Sequence, residues 1–285
     1  MPDQHQPAPH LAGFQPPAGA CDAHCHVFGP GARFPYAESR RYTPEDRPKE
    51  VLAALHARLG LDRAVLVQAS CHGTDNRAML DALRGAPERY RGVAMIDDST
   101  PEAELAAMHA AGVRGIRFNF IAALGGEPDL ATVRRAADRV RGLGWHMVLH
   151  VQGEGVREMR DTIRALRMPV VIDHMGRVDP AQGTAGAAFH ALLGLLQESE
   201  DIWVKLSGAE RMVPAPFHAA LPFAQALLRA APRRVLWGTD FPHPNLAVAV
   251  EEAALLDLVP LIAPDPGDRH RLLVGNPATL YGFGD

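Results

Sequence analysis

Two histidines and an aspartate stand at alternate positions in the stretch "ACDAHCHVFG", residues 20–29: Asp22, His24 and His26. Residues two apart on a β-strand lie on the same face, so His24 and His26 can present both imidazoles to one point. Imidazole nitrogens bind metal ions and transfer protons near neutral pH. The pair predicts a metal or catalytic site at the end of a strand, with Asp22 behind it on the same face.

Polar side chains also follow most of the later apolar runs of the chain. They are Ser70; Arg117 and Asn119; His150; Asp173 and His174; Ser207; and Asp240. In barrels of alternating strands and helices, the catalytic groups lie at the carboxyl ends of the strands. Histidines in helices or at strand starts, such as His56, are interpreted as structural. The recurrence at strand ends predicts one shared site.

The segment "WGTDFPHP", residues 237–244, is the most specific single motif. A carboxylate at the end of an apolar strand is costly to bury unless it is paired, binds an ion or acts as a base. Pro242 and Pro244 stiffen the chain that follows. Asp240 is therefore the predicted general base, and His243 in the same loop is a candidate supporting residue.

The elements that must position these residues alternate along the chain. The strand candidates are "CDAHCHVF", "RAVLVQAS", "RGVAMID", "VRGIRFN", "WHMVLHV", "PVVIDHM", "DIWVKLS" and "RVLWGTD", separated by helix-like segments such as "KEVLAALHARLG" and "LATVRRAADRVRGLG". Eight such units are typical of an α/β fold of the (β/α)8 or TIM-barrel type. We predict an extended, proline-rich N-terminal arm at residues 1–19 and a single catalytic barrel domain at residues 20–285.

The composition of the chain limits the kinds of molecule that the protein is expected to bind. The formal net charge is −4, and no apolar run approaches the roughly 18 residues that span a bilayer. Nucleic acid and membranes are therefore not expected partners, and a small molecule is the default partner. Three cysteines, Cys21, Cys25 and Cys71, are too few for a disulfide framework and indicate a cytoplasmic protein. Whether the chain forms a homo-oligomer is left open.

The strand-end residues resemble those of the amidohydrolase superfamily. Within it, "GACDAHCHVFGPGARFPYAESRRYTPED", "VQASCHGTDNRAMLDAL", "AGVRGIRFNF", "VIDHMGR" and "VLWGTDFPHPN" are similar to motifs of the 2-pyrone-4,6-dicarboxylate lactonase group. The resemblance extends from Gly19 to Tyr281. It implies a hydrolase that opens a carboxylated lactone, either a pyrone dicarboxylate or a sugar-acid lactone.

The resemblance also implies a role for individual residues. Asp240 would take a proton from the attacking water, while His24, His26 and His174 would polarise the ring carbonyl. The predicted substrate contacts are Arg117, Arg177, Arg211, Ser70 and Asn119. The lactonases of this group are thought to work without a tightly bound metal.

Two positions depart from the resembled pattern. His150 stands where those lactonases have a tyrosine, and Ala123 stands where they have a further arginine. His150 restores a metal ligand of other superfamily members, so His24, His26, His150 and Asp240 could hold one divalent ion, zinc or manganese, with a position left for water. The alternative function is a mononuclear metal-dependent decarboxylase of an aromatic or unsaturated acid.

Lys205 and Ser207 fall on one face of the seventh predicted strand. A lysine this deep in the fold needs a carboxylate partner, because an unpaired buried ammonium is costly. We expect Asp240 or Asp22 to be that partner.

Overall fold

The structure is a computed structural model, which describes residues 13–126 and 128–284. Its strands are all parallel and follow one another around a single sheet in chain order. They are β1 Cys21–Cys25, β2 Arg63–Val67, β3 Tyr90–Ala94, β4 Val113–Asn119, β5 His146–His150, β6 Val170–Ile172, β7 Ile202–Lys205 and β8 Val235–Leu236. The predicted (β/α)8 architecture is confirmed.

The barrel closes between β1 and the segment that follows β8. Backbone amides of Ala23 and His26 donate to the carbonyls of Trp237 and Phe241, both at 2.8 Å, and the Asp240 amide donates to His24 at 2.8 Å. Gly238 permits this approach, since a β-carbon there would lie 2.5 Å from the His24 nitrogen. The closure brings Asp240 beside the two histidines of β1.

Helices surround the sheet and connect the strands. They are α1 Lys49–Leu59, α2 Arg77–Gly85, α3 Glu102–Ala110, α4 Leu130–Arg141, α5 Glu154–Glu158, α6 Arg160–Ala165, α7 Ala187–Glu198, α8 Ala209–Met212, α9 Leu221–Ala230, α10 Glu252–Leu256, α11 Val259–Ile262, α12 Pro266–His270 and α13 Asn276–Tyr281. Short helical turns occupy Ser70–His72, Ala122–Leu124, His174–Arg177, Pro180–Gln182, His218–Ala220 and Arg271–Gly275. Among the described residues, no helix is long and apolar enough to cross a membrane.

An irregularity in β1 corrects one prediction from the sequence. The register of β1 against β2 shifts between Asp22 and Cys25, as in a β-bulge. Asp22 consequently faces outward, 3.2 Å from His56 of α1, whereas His24 and His26 face the barrel interior. The expectation that Asp22 shares a face with the histidines is wrong, because simple alternation does not hold across a bulge.

Asp22 instead fastens the barrel seam. Its carboxylate accepts hydrogen bonds from the Thr239 hydroxyl at 2.5 Å and from the backbone amides of Thr239 and His24, both at 3.0 Å. All these groups are buried. Asp22 therefore links β1 to the segment after β8. It does so through Thr239, the residue that precedes Asp240.

The barrel interior has two layers of different character. The lower layer, toward the amino ends of the strands, is apolar and includes Val65, Val93, Val148, Val171, Trp203 and Leu236. The upper layer, toward the carboxyl ends, carries the buried polar side chains of His24, Arg117, His150, Asp173, Lys205 and Asp240. Chemistry is therefore confined to one end of the barrel.

The predicted arm is described only from residue 13 onward; residues 1–12 lie outside the described part of the chain. The amides of Gly13 and Phe14 donate to the Asp257 carboxylate at 3.2 and 2.7 Å, and Gly19 donates to Asp62 at 2.7 Å. These contacts hold residues 13–19 against the barrel. The division into an arm and a single catalytic domain stays a prediction.

Candidate active site

Asp240 lies at the centre of the polar layer, just past the end of β8. Its Oδ1 atom is 3.6 Å from His24 Nε2, 3.4 Å from His26 Nε2 and 3.9 Å from His174 Nε2, while Arg211 donates to Oδ2. The backbone of Asp240 has a φ of 63°, in the left-handed region that non-glycine residues seldom adopt. Such local strain is typical of functional positions.

The surroundings of Asp240 keep its carboxylate ionised. Burial by itself would raise the pKa, but the Arg211 guanidinium outweighs it, and the pKa lies well below the ordinary value of an aspartate. A side chain that is 1% exposed and ionised needs compensating donors, and Arg211 supplies them on one oxygen. Oδ1 is left facing the three histidine rings.

His24 is held from behind by Lys205. The lysine Nζ lies 3.0 Å from His24 Nδ1 and 3.2 Å from Asp173 Oδ1, and all three side chains are completely buried. Burial and the lysine charge lower the pKa of His24 to about 4, so the ring is neutral. Lys205 thus pairs with Asp173, and the predicted partners Asp240 and Asp22 are wrong because Asp173 lies nearer on the same face.

His150 is held in the same way by Arg117. The arginine Nη2 lies 2.9 Å from His150 Nδ1, and its Nε donates to Asp173 Oδ2 at 3.1 Å. Burial, reinforced by the Arg117 charge, lowers the pKa of His150 well below its ordinary value. The Nε2 atom is buried and has no hydrogen-bond partner among the described residues.

The other two site histidines have different partners on Nδ1. His26 Nδ1 donates to the Val67 carbonyl at 2.7 Å, which leaves a lone pair on Nε2 in the neutral ring. His174 Nδ1 lies 3.0 Å from the Ser207 hydroxyl, which can donate or accept. The ring centroids of His24 and His174 are 4.5 Å apart, so these side chains line one small volume.

Three groups of donors in the described chain are close enough to share one ion: His24, His174 and Asp240; Glu210, Asp240 and His243; and Asp22, Cys25 and His56. A histidine that binds a metal through Nε2 gives its Nδ1 hydrogen to a carboxylate or carbonyl. His26 meets that requirement through a backbone carbonyl, and His24 Nδ1 lies 3.3 Å from Asp173 Oδ1 as well as 3.0 Å from Lys205 Nζ. Among the described residues, His150 has only the cationic Arg117 at Nδ1, so it is the member of the predicted ligand set that does not fit as arranged.

The three predicted substrate arginines differ in how they are engaged. Arg117 is paired with Asp173 and His150, and Arg211 is paired with Asp240 and donates to the Pro244 carbonyl at 3.1 Å. Arg177 has no hydrogen bond or ion pair to any described residue. Burial and the neighbouring Arg211 lower the pKa of Arg177, which a bound anion would reverse. Among the described residues, Arg177 is therefore the predicted substrate arginine without an ion pair, whereas Arg117 and Arg211 are the two that line the cavity above this layer.

A small cavity of about 20 Å³ opens above this layer. It is lined by His26, Tyr42, Ser70, Arg117, His150, His174, Arg211, Asp240 and Asn245, among others. Ser70 also lines an adjoining cavity with Asn119 and Arg41. Asn119 itself uses its Oδ1 to accept from the Ile121 amide at 3.0 Å. Of the predicted contacts, Ser70 borders both cavities and Asn119 only the second.

Some features of the site were not predicted from the sequence. Asp173 was placed at a strand end with His174, but its role as the counter-ion of Lys205 and Arg117 was not assigned. Tyr42 and Arg41 reach the cavities from the long loop after β1, where no periodic pattern marks them. Glu210 lies 3.4 Å from His243 and next to Arg211, beneath the loop that carries Asp240.

An eight-stranded parallel barrel with histidines and an aspartate at its carboxyl end defines the class of metal-dependent and metal-independent hydrolases built on this architecture. The amidohydrolase family model (Amidohydro_2) matches residues 21–283. The chain belongs to the amidohydrolase family, and the resemblance inferred from its motifs is confirmed.

The chain is also similar to individual proteins whose names include an activity. The chain is 43% identical to a 2-pyrone-4,6-dicarboxylate hydrolase of Comamonas testosteroni, over 96% of this chain and 93% of that protein. It is 39% identical to a 4-sulfomuconolactone hydrolase of Rhizobium radiobacter, over 94% and 92%. The crystal structure of a probable 2-pyrone-4,6-dicarboxylic acid hydrolase from Acinetobacter baumannii, with citric acid bound, is 28% identical and superposes with a TM-score of 0.83, covering 93% and 100%.

Proposed function

We propose that the protein opens a carboxylated lactone by hydrolysis, with Asp240 as the general base. The observation that carries this proposal is the position of Asp240 Oδ1, which lies within 4 Å of three histidine Nε2 atoms in a buried layer. Two relatives named as hydrolases, of a pyrone dicarboxylate and of a sulfonated lactone, support the same class of substrate.

The proposed reaction uses groups already in place. Asp240 Oδ1 takes a proton from water, the water oxygen attacks the lactone carbonyl carbon, and the carbonyl oxygen becomes an oxyanion. His24 and His174 line the position of that charge and can polarise the carbonyl by donating from Nε2. His26 lies beside them, with Nε2 3.4 Å from Asp240 Oδ1. When the intermediate collapses, the ring ester bond breaks and the departing oxygen recovers the proton from Asp240. The product is an open-chain acid.

Substrate carboxylates are assigned to the arginine side of the cavity. Arg177 forms no ion pair with a described residue, although the Asp240 and Glu210 carboxylates lie near enough to raise its pKa, so binding an anion there breaks no ion pair in the described part of the chain. Arg211 and Arg117 each already hold a buried carboxylate. Ser70 and Asn119 extend the polar wall into the adjoining cavity. A charge-assisted hydrogen bond of this kind contributes about 1.5–3 kcal/mol, enough to select a carboxylated lactone over a neutral one.

The site could instead hold one divalent ion, zinc or manganese, at His24, His26, His150 and Asp240. Such an ion would supply a Lewis acid and a more acidic bound water. The hydrogen bond from Arg117 favours the metal-independent form of the reaction, because His150 receives a donor on the nitrogen that should donate. At His24 the same nitrogen is closer to Lys205, at 3.0 Å, than to the Asp173 carboxylate, at 3.3 Å. A metal-dependent decarboxylase, the alternative, needs that ion.

One set of preparations tests these proposals. The purified protein is assayed against pyrone dicarboxylates, sugar-acid lactones and neutral lactones by loss of absorbance or by proton release. We expect a carboxylated lactone to be opened and Asp240→Asn to lower kcat by about 10²–10⁴-fold. Asp138→Asn, a change on exposed α4, is the matched control. Wild-type activity in folded Asp240→Asn would contradict the assignment of the base.

Metal analysis of the same protein separates the two classes of enzyme. Full activity without stoichiometric metal, and after dialysis against a chelator, is expected for the lactonase. A stoichiometric ion that is lost in His150→Ala, with carbon dioxide as a product, would favour the decarboxylase.

A further inference from the structure

Two buried cations lie against the inner nitrogens of two site histidines. Lys205 Nζ is 3.0 Å from His24 Nδ1, and Arg117 Nη2 is 2.9 Å from His150 Nδ1. Ammonium and guanidinium groups donate hydrogen bonds and do not accept them. His150 Nδ1 therefore accepts, and the ring hydrogen of neutral His150 is on Nε2. His24 Nδ1 also lies 3.3 Å from Asp173 Oδ1, but that oxygen has no hydrogen-bond partner among the described residues, so the contact with Lys205 is the one with hydrogen-bond geometry. His24 Nδ1 accepts as well, and its ring hydrogen is on Nε2.

One carboxylate holds both cations in place. Asp173 Oδ2 accepts from Arg117 Nε at 3.1 Å, and Asp173 Oδ1 lies 3.2 Å from Lys205 Nζ. Asp173 and Lys205 are fully buried, and Arg117 is 6% exposed. The arrangement is rigid because removing any one member leaves an uncompensated charge in the interior.

We propose that Lys205 and Arg117 are positioning residues that fix His24 and His150 as Nε2–H tautomers, giving the polar layer two N–H donors for anionic oxygens of the substrate, one at the cavity wall and one buried beside the base. This inference rests on the proposed hydrolysis for the identity of those oxygens. His24 Nε2 is 3.6 Å from Asp240 Oδ1, so it serves the carbonyl oxygen beside the base. His150, beside Arg117 on the opposite wall, serves a carboxylate of the same substrate.

His26 provides the internal contrast. Its Nδ1 donates to the Val67 carbonyl, so its Nε2 presents a lone pair to the cavity when the ring is neutral. The polar layer therefore contains neighbouring histidines of opposite tautomer, each set by the group behind it.

The tautomers can be read directly by NMR. Protein labelled with ¹⁵N-histidine, without substrate, is examined by long-range ¹⁵N–¹H correlation near pH 7, and the signals are assigned by their loss in His24→Gln and His150→Gln. We expect Nε2–H for His24 and His150. An Nδ1–H pattern for either ring in the wild-type protein would overturn the proposal without any further variant.

Two further variants test the positioning residues separately. In Lys205→Met, His24 should change to the Nδ1–H form, donating to Asp173 Oδ1 at 3.3 Å, while His150 stays unchanged. In Arg117→Met, only His150 should lose its Nε2–H pattern. Activity on the lactone should fall about 10–100-fold in kcat for Lys205→Met, with a smaller change in KM.

Failure of this inference differs from failure of the proposed function. Unchanged tautomers in both variants would overturn the role of the cations even if the lactone is hydrolysed. The expected tautomers in a protein that opens none of the lactones would uphold the positioning role and reject the reaction.

Discussion

Val171 of β6 and Asp173, which directly follows β6, lie two residues apart and both face the barrel interior, yet they belong to different layers of it. Val171 packs among apolar side chains of the lower layer and is 0% exposed. Asp173 is equally buried, but it contacts Lys205, Arg117 and His24. Burial is therefore the same at both positions, and only the partners differ.

The comparison shows why the polar layer is tied to function. The lower layer gains free energy from burial alone, at about 25 cal/mol for each Å² of apolar surface removed from water. The upper layer must desolvate several charges, and their attraction does little more than offset that cost. A polar layer of this kind contributes no net stability that valines could not provide, so its value lies in the chemistry.

The largest effect is expected for Asp173→Asn, which keeps the shape and removes the charge. Lys205 and Arg117 lose their shared counter-ion, so the free energy of unfolding should fall by about 3–5 kcal/mol and hydrolysis should be nearly abolished. Urea unfolding and a kcat measurement at saturating substrate check both parts. Wild-type stability in this variant would mean that the two cations are neutralised elsewhere.

Val171→Ala is the matched change one pleat below. Deleting two buried methyl groups should lower the free energy of unfolding by roughly 2–3 kcal/mol through lost burial and a small cavity. Activity per folded molecule should remain near that of the wild type. A kcat loss comparable to that of Asp173→Asn would show that the two layers are mechanically coupled.

Much of the fold follows from sequence, because apolar runs and helix-like segments alternate with a regular period. All eight predicted strands are present, but most are shorter, since residues such as His26, Ser70 and Asp240 turn away from the sheet at its upper edge. Alternation also failed at β1, where a bulge separates Asp22 from His24. A bulge leaves no mark in a pattern of residue types.

The candidate site was predictable in membership and less so in connectivity. The clustering of His24, His26, His174 and Asp240 follows from their positions at strand ends. The partner of Lys205 could not be predicted from the sequence. Several carboxylates lie near the carboxyl ends of the strands, and a sequence gives no distances between strands. The same limit applies to His150, whose metal-binding role depends on which group faces Nδ1.

A pH dependence of stability is expected from His243, which lies three residues after Asp240 in the same loop. Burial opposes the charge of His243, but the Glu210 and Glu252 carboxylates, 3.4 and 3.5 Å from its ring nitrogens, outweigh it and raise the pKa to about 9. A pKa above the unfolded value near 6.5 means that the protonated ring stabilises the fold. The contribution should be complete below pH 6.5 and lost as the pH rises through 9.

Unfolding free energies measured at pH 6, 7.5 and 9 in wild type and His243→Gln check this expectation. The difference between the two proteins should shrink by on the order of 1–2 kcal/mol across the range. A difference that does not vary with pH would show that His243 is uncharged in the folded protein, and that Glu210 is compensated by Arg211 alone.

The smallest effect is expected at the edge of the polar layer, for Ser207→Ala. The hydroxyl lies 3.0 Å from His174 Nδ1, and its loss removes one neutral hydrogen bond worth about 1 kcal/mol, or roughly fivefold in kcat. Ser199→Ala, whose hydroxyl accepts from the Asp201 amide at 3.2 Å outside the barrel, is the control and should leave kcat unchanged. If Ser207→Ala instead lowered kcat as far as Asp173→Asn, the orientation of His174 would depend on a single hydroxyl, and a neutral contact would weigh as much as a buried charge.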